Sequence, residues 1–287
     1  MSELAASPAA PRRRRRLSLR PNLVIGTCLI ALMIAAALLS LVWTPTPLGT
    51  MDMMSRLAGP SAAHWLGADH FGRDVLTLLL VGARNSLGIA FAAVLLGGAV
   101  GVFLGLFAAA RRGWAEEVIM RFADFAFAFP AVLAAIIVTA LLGVGSTTTV
   151  IAIAVANVPV FIRLSRATGV DIWSRDFILA ARSAGRGPLH ITVRHVLPNA
   201  SGVLLVQATT QLALAIVIEA GLSYLGLGLQ PPAPSWGKML NDAQTHMGSQ
   251  PLLAIFPGLA IAIAVLGFNL LGDGLRDLLD PRLRRTR

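Results

Sequence analysis

The chain has 287 residues; 56% are hydrophobic, only 13% are charged, and the formal net charge is +10. Soluble domains carry about 25% charged residues, so this composition, with a mean hydropathy of +0.73, excludes an ordinary water-soluble domain. The lone cysteine, Cys28, sits inside an apolar run, which excludes an internal disulfide and leaves no metal-ligand spacing around it.

The first element is a basic tail over 1–21, with Arg12 to Arg16 and Arg20, suited to anionic lipid headgroups. It leads into Leu23–Trp43, 21 residues without a charge. A secretory leader needs an apolar stretch of only about 7–15 residues, whereas a membrane helix needs about 20, so this run predicts a retained first span. Further apolar runs at 85–110, 118–142, 147–168, 200–225 and 252–273 bring the expectation to six transmembrane helices. The second run carries Gly97, Gly101 and Gly105 at four-residue spacing, a face on which another helix backbone approaches closely. Pro130 predicts a kink in the third. Pro231, Pro232 and Pro234 bar a regular helix at the start of the segment 226–251. The expected organisation is the tail 1–21, a first helix with an outer segment over 22–84, a five-helix core over 85–273 containing a long loop at 170–198, and a second basic tail at 274–287.

The 24 basic residues divide unevenly between the two sides that six spans define. Only Arg56, Arg73, Arg84 and Lys238 fall on one side, and the other twenty on the opposite side. By the positive-inside rule both termini are cytoplasmic. The excess charge is then a topology signal, and a nucleic-acid partner is not expected.

The loop 170–198 breaks the apolar pattern with "LAARSAGRGPLHITVRHVLP". Asp176 is placed to cap a helix starting near Phe177. Gly185 and Gly187 loosen it, Pro188 opens a second short helix, and Pro198 is expected to end that helix. Small and apolar side chains rimmed by arginines suit either a docking surface for a second protein or an amphipathic loop on lipid headgroups. Physical chemistry alone leaves both open.

This stretch resembles the signature loop of permease subunits of ABC importers: Leu179-Ala180-Ala181, with Arg182 next, then Gly185, then Val196-Leu197-Pro198. The stretches 64–87, 222–240 and 256–282 resemble the dipeptide, oligopeptide and nickel branch, in the pattern of its C-type subunit, and together the matches cover about residues 22–287. The resemblance implies an all-α integral membrane protein of the type I importer fold, with the loop as a coupling helix that docks on an ATPase. It further implies a B-type permease as heterodimer partner, two cytoplasmic ATPase subunits carrying ATP and Mg, an extracytoplasmic peptide-binding protein, and location in the bacterial inner membrane. The implied cargo is a di- or oligopeptide, with a nickel chelate as the alternative. One departure is clear: the family's usual glutamate is Leu179, which removes an ionic anchor.

Candidate path residues are the polar groups within spans: Asp124, expected to pair with Arg121 or to face the bundle, Asn157, Gln207, Gln211 and Glu219. Candidate outer-segment contacts are Asp69, Arg73, Asp74 and Trp236, with Arg73 able to pair with either carboxylate. There is no GxxxxGK[ST] phosphate loop and no HExxH metal motif, so neither catalysis nor a metal is expected. One rival uses the same features, a membrane receptor or anchor signalling through the loop; an ion-coupled carrier would need paired ionisable groups near midplane and usually internal repeats, and the sequence shows neither.

Overall fold

The structure is a computed structural model that describes residues 21–279. The arginine run at 12–16, Arg20 and the end of the basic tail from 280 lie outside the described residues. Among the described residues the chain is helical, without strands. Helix α1 (Pro21–Val42) is followed by a cap segment over 43–74 and then by α2 (Val75–Arg111). α3 (Trp114–Phe127) and α4 (Ala131–Leu142) precede the long α5 (Ser146–Trp173). α6 (Asp176–Ser183) and α7 (Pro188–Ile191) lead through a π-turn at Thr192–Val196 into α8 (Leu197–Tyr224). α9 (Trp236–Ala243) and α10 (Leu252–Leu279) complete the fold. Among the described residues, five helical stretches are long and apolar enough to cross a membrane, and the α3–α4 pair makes a sixth if counted as one span.

α2 and α5 form the central pair, and glycine spacing explains why. A Cβ on Gly97 would lie 2.9 Å from Asn157 Cβ, and one on Gly101 would lie 2.6 Å from both Val158 O and Phe161 Cβ. Only hydrogen at these positions lets the backbones meet, and Ser165 Oγ, which donates to Phe161 O at 2.5 Å in its own helix, also comes within 3.3 Å of Gly101 O. The glycine face read from sequence is therefore a helix-packing seam. α1 packs on α10 by the same device: a Cβ on Gly267 would sit 2.9 Å from Ile30 Cδ1.

Four sequence expectations change. α2 begins at Val75, capped by Asp74, rather than at 85, so a division at 84/85 passes through this helix. At 1.5 Å per residue α2 is about 55 Å long, well beyond the roughly 30 Å hydrocarbon layer. The third span is broken rather than kinked: α3 and α4 diverge by 92°. Pro130 has extended backbone, φ −55° and ψ 133°; it lacks an N–H and keeps Phe129 out of the helical region. Arg175, not Asp176, is the N-cap of α6, and Asp176 lies in its first turn. Finally, Pro198 does not end a helix. The chain runs helically from Pro188 to Tyr224, because the π-turn, with Leu197 N–H donating to Thr192 O, widens the spiral where the proline ring would otherwise meet the preceding turn.

Candidate functional site

The helices place two distinct surfaces at opposite ends of the bundle. One end carries α6 and α7. The other, the cap end, carries the 43–74 segment and α9.

At the first end, Ile178 is 0% exposed. Together with the buried Ile172, Trp173, Ile191 and Val196 it roots the 174–198 segment on the bundle; burying such a side chain contributes about 1.5–3 kcal/mol. The turn after α6 is a Schellman cap: Gly185 N–H donates to Arg182 O at 2.9 Å and Arg186 N–H to Ala181 O at 3.2 Å. This requires the left-handed conformation, and Gly185 has φ +75°, where glycine has no Cβ penalty. Gly185 also stands in open space. Its role is therefore to turn the chain, and Gly187 then caps the helix that Pro188 opens.

The segment that results exposes several apolar side chains. Leu179 is 51% exposed and Leu189 74%, with Phe177 and Val193 also exposed. Ala180 is exposed, Ala181 half-buried, and Leu197 and Pro198 exposed at the start of α8. Arg182 lies over the Trp173 ring, 4.8 Å from its centroid. The seven residues singled out in this loop thus belong to one continuous segment, six of them at its surface and Ala181 partly beneath it.

The polar residues proposed for a path do not converge. Asp124 is partly exposed and pairs with Arg163 at 2.5 Å, not with Arg121, which reaches Glu117 at 3.5 Å. A second ion pair, Glu116 with Arg166, fastens α3 to α5 at the same end. Asn157 is buried at the α2–α5 seam, its Nδ2 donating to Ile153 O at 2.9 Å. Gln207 is half-buried and Gln211 buried. Glu219 is 0% exposed: Ser223 Oγ donates to its Oε1 at 2.7 Å, and Ser86 and Ser235 stand beside it. Its Oε2 has no hydrogen-bond partner among the described residues. Glu219, Gln211 and Asn157 therefore face the interior of this chain. A large open groove of about 1010 Å³ does run along α2 and α8, but Phe91, Leu95, Phe103, Phe107, Leu189 and Leu205 give it an apolar wall, and none of the five polar candidates lines it.

The cap end is fastened by the residues expected to contact partners. Asp69 accepts from the Phe71 and Arg73 N–H groups at 2.8 Å and pairs with the Arg73 guanidinium at 2.6 Å. Arg73 also reaches Asp242 of α9 at 3.7 Å. Asp74 caps α2 through the Thr77 N–H at 2.7 Å and meets His64 Nδ1 at 3.2 Å. Arg73 thus chooses Asp69 over Asp74. Trp236 is 1% exposed; its Nε1 donates to Leu79 O and its N–H to Ser86 Oγ, both at 3.2 Å. It locks α9 onto α2, aided by Asn85 Nδ2 donating to Pro234 O at 2.7 Å. His70 stacks on His246 with centroids 5.6 Å apart. Burial holds the His70 imidazole below its usual range, against the pull of Asp69 and Asp242. Beside them lies a pocket of about 310 Å³ lined by these charges and by Pro231 and Pro232. The sequence did not mark Arg163, Arg166, His64 or Asp242 as partners, since each pair joins distant parts of the chain or depends on a turn.

Residues 101–285 match the family described as binding-protein-dependent transport system inner membrane component. The chain belongs to this family. It is 46% identical over 226 residues to the glutathione transport system permease protein GsiD of Pectobacterium atrosepticum, covering 79% of this chain and 75% of that protein. It is 41% identical over 261 residues to the dipeptide transport system permease protein DppC of Alkalihalophilus pseudofirmus, covering 91% and 86%. Among solved structures, a chain of the inward-facing MetNI methionine ABC transporter superposes with a TM-score of 0.61 at 18% identity, covering 71% of this chain and 97% of that one. At that identity the likeness is one of fold. The chain is thus a permease subunit of an ABC importer, an integral multi-pass membrane component, with ATP hydrolysis left to separate ATPase subunits. The all-helical fold and the family read from the loop both hold.

Proposed function

We propose that this permease carries short peptides into the cell, together with a B-type permease that forms the other wall of the path. The projecting 174–198 segment is the observation that carries the mechanism. It is rigidly rooted by Ile178 and Ile191, turned by Gly185, and presents Leu179 and Leu189 to a partner. α7 continues through the π-turn into α8 without a break, so a push on the segment moves a whole membrane helix. Two ATPase subunits binding ATP and Mg would supply that push on closing, and rocking of the two bundles would alternate access to the shared path. The charge asymmetry of the sequence supports an orientation with this segment and both termini in the cytoplasm. The cap end then faces outward, toward a peptide-binding protein.

The relatives' names support peptide cargo: one is a glutathione and one a dipeptide permease. The test is uptake in cells lacking this chain and in cells with it restored, using a labelled dipeptide, a labelled tripeptide, glutathione and nickel. Loss and rescue of one of the peptides is the expected result. Loss of nickel uptake alone would move the cargo to metal chelates, and no loss of any would refute the peptide reading.

A further inference from the structure

At the end of the bundle that carries α6, four arginines are matched by the chain itself. Arg121 meets Glu117, Arg163 meets Asp124, Arg166 meets Glu116 and Arg175 meets Asp171. Arg111, Arg112 and Arg276 at this end meet no carboxylate among the described residues, Arg111 lying over the Phe107 ring instead, and the docking segment adds three more such arginines. Arg182, Arg186 and Arg194 are exposed and meet no carboxylate among the described residues. His190 and His195 stand in the same stretch, with centroids 6.3 Å apart. Between Asp176 and Glu219, over residues 177–218, the sequence contains no acidic residue, and Glu219 is sealed inside near the far end of α8. Apart from Asp176 in the first turn of α6, the charge exposed on this segment is therefore positive, and it shares the segment with the exposed Leu179 and Leu189. Position 179, where the resembling family carries a glutamate, adds no negative charge.

We infer that the ATPase surface receiving this segment is an apolar groove rimmed by carboxylates, the charge mirror of Arg182, Arg186 and Arg194. The inference rests on the reading that the segment docks on an ATPase. An apolar centre with a complementary charged rim sets partner choice and association rate, and mismatched like charges are strongly disfavoured. Arg182 is already ordered on the Trp173 face, so less side-chain freedom is lost on docking. A lipid surface offers the same negative charge, but it provides no recess for the projecting Leu179 and Leu189.

The test uses the complete importer, purified through a tag on this chain, with retention of its ATPase subunits as the readout. Wild-type retention is expected to fall as NaCl rises from about 0.1 M to about 1 M, where the screening length shrinks from roughly 10 Å to 3 Å. The double variant Arg186→Glu and Arg194→Glu should weaken retention by about tenfold or more at low salt, while the membrane level and melting of the chain stay unchanged. Leu179→Ser with Leu189→Ser should also release the ATPase, at any salt. If the leucine variant releases it but charge reversal and salt do not, docking stands and the acidic rim is refuted. If neither variant releases it, the docking reading itself fails. Retention that survives charge reversal, with activity lost only in vesicles containing phosphatidylglycerol and not in pure phosphatidylcholine, would assign the arginines to lipid and overturn the inference.

Discussion

A single methyl group on α2 tests the packing argument most sharply. Gly101→Ala would place its Cβ 2.6 Å from Val158 O and from Phe161 Cβ. Ordinary carbon contacts lie at about 3.5–4.0 Å, so α2 and α5 must separate by about 1 Å or distort. Overpacking of this kind costs about 1–3 kcal/mol. Gly88, on the same helix, has no atom within 4 Å of its notional Cβ, so Gly88→Ala carries only the helix-propensity change, at most about 1 kcal/mol. Both variants share that change, and their difference isolates the steric cost. The assay is unfolding of the purified chain in mixed micelles on titration with SDS, followed by tryptophan fluorescence. Gly101→Ala should be the less stable by about 1–3 kcal/mol. Equal midpoints, or a more stable Gly101→Ala, would show that the two helices do not meet through this glycine seam.

Three further outcomes follow from the same geometry. Glu219→Ala leaves a cavity and removes the acceptor of Ser223, so it should cost about 2–5 kcal/mol, whereas Glu219→Gln keeps volume and acceptor and should cost less than about 1.5 kcal/mol; the same SDS titration checks both. The cap end should loosen in acid. Burial lowers the His70 pKa from 6.5, so its contribution to docking is full above that value and is lost as pH falls through the lower folded-state value. Asp69 and Asp242 favour the proton, and Arg73 and His246 oppose it. Amide protection over residues 68–74, taken relative to the intrinsic exchange rate at each pH, should fall between about pH 7.5 and about pH 5 by more in the wild type than in His70→Phe, where the His64–Asp74 contact remains. Gly185→Val should destroy the Schellman turn and uncouple ATPase activity from uptake, while Gly185→Asn, which tolerates positive φ, should keep most of the coupling. Equal coupling in the two variants would show that the turn is not needed.

The membrane spans and the 170–198 loop were legible in the sequence because both are local properties. Apolar length reports a span by simple addition along the chain. The glycines at 97, 101 and 105 lie on one helix face whatever stands opposite. The small residues and punctuation of 179–198 also mark a projecting turn without reference to any other segment, which is why the family could be read there. What only the tertiary structure decided involves residues far apart in the chain. Asp124 looked to its neighbour Arg121 but pairs with Arg163, 39 positions away, because α3 lies against α5. Trp236 and Glu219 looked available and are enclosed, since α9 folds down on α2 and α8 and covers both. Pro130 and Pro198 are the same residue type with opposite outcomes, a 92° break and a continuous helix through a π-turn. A proline inside a helix leaves one carbonyl without its donor; at Pro130 the backbone turns extended, while before Pro198 the π-turn carries the helix on.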